Sequence, residues 1–165
     1  MAISLGSKDL VSDIVAGIFI VFEDQFQVGD IIEVGGFKGV VKEIGVRSTK
    51  IINDAGNVKT VGNMDIKNVL KMTKYDSIFV QTLKIPMGGS LNQVEDALRT
   101  GLPSIAERCD KILTGPTYEG VSDITGGVMT VAVSVGCHEQ DSKEVLRFLN
   151  RELILLCESR DIPIK

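Results

Sequence analysis

The sequence has no tryptophan, one histidine, four prolines and three cysteines in 165 residues. Its six Phe and two Tyr offer little aromatic surface on which nucleic-acid bases stack. The net charge of −4 also argues against a nucleic-acid-binding protein, because such proteins are usually basic. A single histidine, His138, leaves little room for metal binding or histidine-based catalysis.

The three cysteines do not form a metal or disulfide pattern. Cys109, Cys137 and Cys157 contain no CxxC pair and are odd in number, which argues against a disulfide scaffold or a four-thiolate zinc site. We expect reduced thiols, with Cys109 and Cys157 as small buried hydrophobic residues. Cys137 and His138 are adjacent in a predicted strand and therefore point to opposite faces, which does not suit a nucleophile and its base. The sequence predicts no catalytic, cofactor-binding or metal-binding residues, and hence no enzyme.

A glycine-rich segment at residues 35–39 superficially suggests a phosphate-binding loop. A Walker loop needs the pattern GxxxxGK followed by Ser or Thr, and it leads into a helix. Here predicted strands flank the glycines on both sides. The segment is therefore interpreted as a tight hairpin.

Residues 3–22 are predicted to form a helix. Its continuous apolar run, residues 15–22, is much shorter than the roughly 20 apolar residues that a membrane-spanning helix needs. Helical spacing predicts an apolar face made of Leu10, Ile14, Phe19 and Phe22. Two interpretations stay open: a helix packed on its own domain, or an interfacial or pore-lining helix whose small residues face a symmetry mate.

From Val28 onward the pattern changes to short strands. Glycine, Asn and Asp at residues 53–57 indicate a hairpin turn. A small, strongly bent, Sm-like β-barrel is the economical way to bury about five short strands. The predicted strands are Asp30–Val34, Gly39–Ile44, Arg47–Ile52, Val58–Val61 and Val69–Met72.

The rest of the chain is predicted to follow the order βαββα, a ferredoxin-like motif that lacks its last strand. A capping box at Ser90–Gln93 begins the first helix, which Gly101 and Pro103 are expected to interrupt. Gly126-Gly127 is typical of a two-residue hairpin. The predicted elements are strand 78–85, helix 91–100, strands 117–125 and 128–137, and helix 140–160.

Charge divides the chain into three segments. Residues 29–74 carry eight basic and five acidic side chains, a net charge of +3, whereas residues 1–28 and 75–165 carry −3 and −4. Together with the predicted elements, this gives an N-terminal helix at 1–27, a β domain at 28–73 and an α/β domain at 74–165.

Several motifs agree in order and spacing with one known family. They are Phe22–Asp30, Val34–Val41, Ile44–Thr49 and Asp54–Asn57. Together they resemble the small-conductance mechanosensitive channel family. In that family the pore-lining third helix leads into a small β domain and then a mixed α/β domain, and the copies form a heptameric cytoplasmic vestibule. The family's Pro-Asn signature corresponds here to Gly62-Asn63.

The resemblance implies a function without covalent chemistry. The parent protein would be a channel of the cell membrane that opens under membrane tension and releases ions and small osmolytes on hypo-osmotic shock. This chain would lie on the cytoplasmic side as part of a homo-oligomer, with lipid and permeating solutes as partners and no cofactor or nucleic acid. Met1-Ala2 is typical of an added translation start, so we expect a soluble fragment. It would lack the first two transmembrane helices and the C-terminal barrel.

The resemblance also implies roles for individual residues. Gly6 would mark a kink in the pore helix, and Ala16 and Gly17 would allow close packing in its interfacial half. Three aromatic residues at the helix-to-β-domain junction would couple the helix to the β domain, or would simply fill the core of that domain. They are Phe22, Phe26 and Phe37.

Two further alternatives stay open. The positive balance of residues 29–74 either biases permeating ions or is an ordinary solvated surface. The whole chain could instead be a soluble regulatory module that binds a small molecule or a protein. A module would be a monomer or dimer whose melting temperature shifts with ligand, whereas a vestibule would be a sevenfold ring.

Overall fold

A computed structural model of the chain describes residues 3–73, 75–88 and 90–165, with side chains from Lys8 onward. The chain forms two compact units, Met1–Lys74 and Tyr75–Lys165. The described residues contain three α-helices and two antiparallel sheets. This confirms the predicted mixture of β and α/β structure, while the Sm-like and ferredoxin-like interpretations stay predictions.

The first unit is one helix and a five-stranded antiparallel sheet in the order β4-β3-β2-β1-β5. A 3-10 turn, Asn63–Asp65, follows β4. The elements are α1 (Ile3–Phe22), β1 (Ile31–Val34), β2 (Phe37–Ile44), β3 (Ser48–Ile52), β4 (Val58–Gly62) and β5 (Val69–Lys71).

The turns of this sheet follow from their sequence. Gly35 and Gly36 have φ values of 56° and 72° and join β1 to β2, so the glycine-rich segment is a hairpin. Between β3 and β4, Gly56 has φ 81°. The Asn53 side-chain oxygen accepts hydrogen bonds from the N–H groups of Ala55 and Asn57, which closes that turn as predicted.

The end of α1 directs the chain into the sheet. Asp24, two residues beyond the last residue of the helix, adopts the left-handed conformation with φ 53°. The Gln25 N–H donates to the Ile20 carbonyl at 3.1 Å and the Asp24 N–H to the Val21 carbonyl at 3.3 Å, which is the Schellman pattern of helix termination. The reversal places Phe26 in the core of the sheet.

The predicted apolar face of α1 is not the face that packs on the sheet. Leu10, Phe19 and Phe22 are exposed, and Ile14 is half-buried. The buried residues are instead Asp13, Gly17 and Ile20. At Gly17 the helix lies too close to the sheet for a larger side chain, and Asp13 makes a polar contact, so Ile20 is the only large apolar residue among these three. The core is completed by Phe26, Ile32, Val34, Val41, Ile51 and Ile66.

The second unit has a three-stranded antiparallel sheet in the order β6-β8-β7 and two helices. Gly126 and Gly127, with φ 61° and 73°, form the predicted turn between β7 and β8. The elements are β6 (Ser77–Pro86), α2 (Leu91–Ala106), β7 (Thr114–Thr125), β8 (Val128–Cys137), a 3-10 turn (Glu139–Asp141) and α3 (Ser142–Ser159).

The predicted interruption of α2 is wrong, because the helix continues through Gly101 and Pro103 to Ala106. Leu98, Leu102 and Ile105 are buried in the core, and their burial outweighs the hydrogen bond that proline removes. At Gly101 a Cβ atom would stand 2.5 Å from Leu156 of α3, so the glycine allows close contact.

The predicted capping box at Ser90–Gln93 is also wrong. Ser90 is the residue before α2, but its side chain makes no capping hydrogen bond. The Gln93 side chain donates instead to the Arg160 carbonyl at 3.0 Å, beyond the end of α3. A tertiary partner for Gln93 therefore replaces the local contact that the sequence pattern suggests.

Candidate helix–sheet coupling site

The candidate site is the contact between α1 and the sheet of the first unit. Asp13, Gly17 and Ile20 lie on one face of the helix because positions four and three apart are neighbours on a helix surface. Ile20 joins the apolar core. Asp13 and Gly17 contact polar groups of the sheet. The contact therefore combines one buried apolar side chain with polar interactions.

Asp13 connects α1 to two loops of the sheet. Its Oδ1 accepts a hydrogen bond from the Met64 N–H at 3.1 Å, in the Asn63–Asp65 turn. Its Oδ2 lies 3.9 Å from the guanidinium of Arg47, in the turn between β2 and β3 (residues 45–47). The carboxylate is largely buried, whereas Arg47 is largely exposed. The backbone hydrogen bond is therefore the more specific of the two contacts.

Gly17 lies against the side chain of Asn63. A Cβ atom on Gly17 would stand 2.5 Å from Asn63 Nδ2 and 3.0 Å from the Val46 carbonyl oxygen. Asn63 Nδ2 donates to the carbonyls of Gly45 and Val46 at 3.0 and 3.2 Å, and Oδ1 accepts from Thr49 Oγ1 at 3.0 Å. The helix therefore rests on a hydrogen-bonded surface.

Gly62, where the family signature has proline, keeps a proline-like backbone. Its φ of −59° and ψ of 138° are values that proline adopts. A Cβ atom there would stand 3.1 Å from both Asp13 Oδ1 and Asp65 Oδ2. Glycine thus preserves the conformation that leads into the Asn63–Asp65 turn while leaving room for two carboxylates.

The three predicted coupling aromatics have different environments. Phe26 is only 1% exposed and belongs to the core. Phe37 packs partly against the core, and the Lys59 ammonium lies 5.6 Å from the centre of its ring. Phe22 is 86% exposed, so it does not fill the core. Their coupling role stays a prediction.

The predicted helix-packing glycines and alanine are placed as follows. Gly17 makes its close contact with the sheet of its own unit, at Asn63 and Val46. Ala16 is half-buried. Gly6 lies within the continuous helix α1, and its surroundings fall outside the described side chains, so the predicted kink there stays a prediction.

An apolar groove runs between α1 and the turn that follows β2. Its walls are aliphatic and aromatic, and several of the side chains are exposed. The lining residues are Ile14, Gly17, Ile18, Val21, Phe22, Ile44, Gly45 and Val46.

An ion pair fastens the segment that leads from α1 into β1. The Lys71 ammonium lies 2.7 Å from Asp30 Oδ2, which also accepts the Gln27 N–H at 2.7 Å. Burial by itself would raise the pKa of Asp30, but the hydrogen bonds from Lys71 and Gln27 hold it below its usual range. Asp30 is therefore a charged anchor between the helix exit and β5.

The three cysteines and the single histidine lie in the second unit. Cys137 is buried, and burial raises the pKa of its thiol, which opposes the thiolate needed in a nucleophile. Burial also raises the pKa of Cys157. Cys109, predicted to be buried, is half-buried and packs against the core. Asp76 Oδ1 lies 3.4 Å from His138 Nδ1, an orienting contact that sequence reasoning did not find. The described part of the chain holds no cluster of three or more metal-ligating side chains.

Asp13, Thr49 and Asn63 are the site residues that sequence reasoning missed or treated only as part of a motif. The sequence signal for Asp13 and Thr49 is a polar side chain at a position in an otherwise apolar pattern. Asp13 stands one helical turn before Gly17 in a largely apolar helix, and Thr49 stands two residues before Ile51, on the same face of its strand. Periodicity registers such residues as solvent-facing, although here all three are buried.

Comparisons with known proteins agree on one family. A family model for the β domain of mechanosensitive ion channels matches residues 9–70. The chain is 32% identical over 133 residues to a small-conductance mechanosensitive channel of Caldanaerobacter subterraneus subsp. tengcongensis, which covers 81% of this chain and 47% of that protein. It is 25% identical over 137 residues to the moderate conductance mechanosensitive channel YbiO of Escherichia coli, covering 81% and 18% respectively. The chain thus spans about half the length of the first relative and less of the second.

Solved structures share the fold. The crystal structure of Helicobacter pylori MscS in its closed state superposes with a TM-score of 0.78 at 18% identity, covering 99% of this chain and 65% of that one. Wild-type AtMSL1, solved by cryo-EM, gives a TM-score of 0.75 at 14% identity, covering 99% and 59%. Among the helices described here, none is long and apolar enough to cross a membrane.

Proposed function

Because the chain belongs to the mechanosensitive ion channel family, we propose that it is the cytoplasmic vestibule portion of a tension-gated membrane channel. The channel releases ions and small osmolytes on hypo-osmotic shock. The observation that carries this proposal is the 32% identity to a small-conductance mechanosensitive channel across 81% of the chain. In this role the chain acts through mechanical coupling and has no catalytic step.

The contact between α1 and the sheet supports such coupling. A helix that is pulled by the membrane transmits force only if it is held at several points. Here Asp13 is hydrogen-bonded to Met64, Gly17 is seated on Asn63, and Ile20 is buried in the core. Movement of α1 must therefore shift the sheet or break these contacts.

The exposed apolar side of α1 supports the proposal that this helix contacts a partner outside its own unit. An uncovered apolar helix face is unfavourable in water, and it is typical of a surface that meets lipid or another copy of the chain. We propose that both lie against this face in the assembled channel. The exposed apolar residues are Leu10, Val11, Val15, Ile18, Phe19, Val21 and Phe22.

The sheet edges support homo-oligomers. Among the described strands, β4 and β5 end the first sheet, and unpaired edges invite pairing with another chain. We propose a heptamer in which neighbouring copies cover these edges. The positive balance of residues 29–74 would lie in this ring, either facing permeating ions or simply solvated.

We also propose the finer fold descriptions. The bulge between Val41 and Glu43 and the close contact of Gly39 with the Ile52 carbonyl support a strongly bent, Sm-like first sheet. The strand order β6-β8-β7, with two helices in a βαββα sequence, supports a ferredoxin-like second unit.

Patch recording tests the function directly. The complete protein that contains this chain is expressed in cells without mechanosensitive channels, and membrane patches are stretched by suction. We expect pressure-activated currents and improved survival of hypo-osmotic shock, whereas an Ile51→Asp variant with a disrupted core should give neither. Normal membrane insertion without current up to the lytic tension would refute the channel function.

The native mass of the purified chain tests the assembly. A species of seven copies of the 17.8 kDa chain supports the vestibule ring. A stable dimer whose melting temperature rises with a small-molecule or protein ligand would favour a soluble regulatory module instead.

A further inference from the structure

The first unit buries a pair of polar side chains that its apolar core does not require. Thr49 of β3 is fully buried, and Asn63 is 1% exposed. The two side chains bond to each other, and Asn63 also bonds to two backbone carbonyls. Buried polar groups are unfavourable unless every one is paired, so a pair like this imposes one geometry on its surroundings.

The orientation of the Asn63 amide is determined by its partners. The carbonyls of Gly45 and Val46 can only accept hydrogen bonds, so the group facing them must be Nδ2. Oδ1 then faces Thr49, whose hydroxyl donates to it. The Thr49 hydroxyl therefore fixes the rotation of the amide, and the amide fixes the two carbonyls.

Those carbonyls belong to the turn between β2 and β3. The turn has little packing of its own, since the Val46 side chain is exposed. Two backbone hydrogen bonds hold its ends, from the Gly45 N–H to the Ser48 carbonyl and from the Asn63 N–H to the Arg47 carbonyl, and the Asn63 side-chain amide holds the carbonyls of Gly45 and Val46. Gly17 of α1 lies against that amide and against the Val46 carbonyl. The seat of the helix is thus built by Thr49 and Asn63, neither of which is part of α1.

We propose that Thr49 and Asn63 are positioning residues. Together they hold the turn between β2 and β3 in the shape that seats Gly17, and so determine how firmly α1 is bound to the sheet. The positioning role stands on the contacts alone, but its link to gating rests on the proposed channel function. If the chain is part of a channel, the strength with which α1 is held to the sheet contributes to the tension at which the channel opens.

Hydrogen exchange on the complete 165-residue chain tests the positioning role without any channel measurement. Thr49→Val keeps the shape of the side chain and removes the donor, which leaves Asn63 Oδ1 buried and unpaired. We expect amides of α1 around residues 13–20 to exchange about tenfold faster, the change that one unpaired buried group typically produces. Thr49→Ser keeps the hydroxyl and should restore exchange to nearly the wild-type rate.

Ile51→Val is the matched control. Ile51 is also buried in β3, and this change weakens the core without removing a hydrogen bond. The exchange rates of the two variants are compared at the same loss of melting temperature. On that basis, Thr49→Val should accelerate exchange of the α1 amides and Ile51→Val should not. Equal acceleration in both variants, or none in Thr49→Val, would overturn the proposal. If Thr49→Val does not fold, Asn63→Ala is measured instead, with the same expected result.

Patch recording of the complete channel then tests the link to gating. We expect Thr49→Val to change the pressure threshold and Thr49→Ser to leave it at the wild-type value. An unchanged threshold in a conducting Thr49→Val channel would overturn the gating half of the proposal. A wild-type protein without current would instead refute the proposed function, and the exchange result would be unaffected.

Discussion

Gly17 of α1 lies directly over the side-chain amide of Asn63, so close that a methyl group on Gly17 would stand 2.5 Å from Nδ2. The amide cannot retreat easily, because three hydrogen bonds hold it to Thr49 and to the carbonyls of Gly45 and Val46. A second glycine, Gly101 in α2, has an equally short approach, but to the methyl groups of Leu156. Gly17 therefore faces a rigid neighbour, the Asn63 amide, whereas Gly101 faces a flexible one, the Leu156 side chain.

Alanine at these two glycines should have different effects. In a helix interior, alanine is favoured over glycine by about 1 kcal/mol. At Gly17 the overlap with a fixed amide exceeds this gain, and we expect Gly17→Ala to destabilise the first unit by about 1–2 kcal/mol. At Gly101 the Leu156 side chain can rotate away, so Gly101→Ala should change stability by less than about 1 kcal/mol. Chemical denaturation of both variants measures the difference, and equal losses would contradict this account.

Local turn chemistry was the most predictable part of the fold. The hairpins at residues 53–57 and at Gly126-Gly127 depend on backbone angles that glycine and asparagine allow, and both formed where predicted. The boundaries of α1 also agreed, since Asp24 and the following residues end the helix locally. Such features need no knowledge of distant contacts.

Features that depend on distant contacts were predicted wrongly. The sequence pattern predicts that Gln93 caps its own helix, but its side chain bonds to the carbonyl of Arg160, 67 residues away. Pro103 was expected to interrupt α2, yet burial of the surrounding leucines keeps the helix intact. The candidate site was hidden for the same reason, because Asp13 and Gly17 are explained only by Met64 and Asn63.

The Asp30–Lys71 ion pair should make stability depend on pH at the acidic end. Since the pKa of Asp30 is lowered in the folded chain, its contribution is fully present above the ordinary aspartate pKa. It is lost as pH falls through the lower, folded-state pKa. We expect the wild type to lose more stability than Asp30→Asn on acidification over this range, because only the wild type takes up a proton at this position.

Urea denaturation at a series of pH values measures this dependence. Asp30→Asn keeps the size of the side chain and removes its charge, so the part of the pH slope due to this residue should disappear. Glu43 pairs with Lys50 on the exposed surface, and Glu43→Gln is the matched control, expected to change the slope little. Parallel slopes in wild type and Asp30→Asn would contradict the assignment.

The buried carboxylate of Glu152 in α3 should make the second unit sensitive to the loss of its arginine partner Arg108. Its carboxylate is 3% exposed and lies 2.7 Å from Arg108 and 2.9 Å from Arg151. Arg108 Nε also donates to the Ser104 carbonyl of α2, so this pair links the two helices. Removing Arg108 leaves a buried carboxylate with one partner fewer. We expect Arg108→Ala to destabilise the unit by about 2–3 kcal/mol.

Arg151→Ala is the matched control, because Arg151 pairs with the adjacent Glu152 within α3, whereas Arg108 also bonds to Ser104 and so links Glu152 to α2. It should cost less than about 1 kcal/mol. In the double variant Arg108→Ala/Glu152→Gln, part of the loss should be recovered, since no uncompensated buried charge remains. Thermal or urea unfolding checks all three, and a double variant less stable than Arg108→Ala alone would refute this explanation.

Phe22 and Phe26 allow stability and coupling to be separated. Phe26 is enclosed in the core, so Phe26→Ala should destabilise the first unit by about 3–5 kcal/mol. Phe22 is exposed, so Phe22→Ala should change the stability of the isolated chain by less than about 0.5 kcal/mol. If Phe22 meets lipid or a neighbouring copy in the channel, its removal should still shift the pressure threshold. Phe26→Ala should shift the threshold as well, because it loosens the end of α1.

Patch recordings of both variants, with surface expression matched to the wild type, check this. Phe22→Leu keeps an apolar side chain and should fall between the wild type and Phe22→Ala. A threshold that follows stability alone would move in Phe26→Ala and stay constant in Phe22→Ala, and that result would remove Phe22 from the coupling path. Within its own unit the Phe22 ring is exposed and does not pack in the core. A threshold that shifts in Phe22→Ala while stability stays unchanged therefore means that this ring contacts something outside the unit.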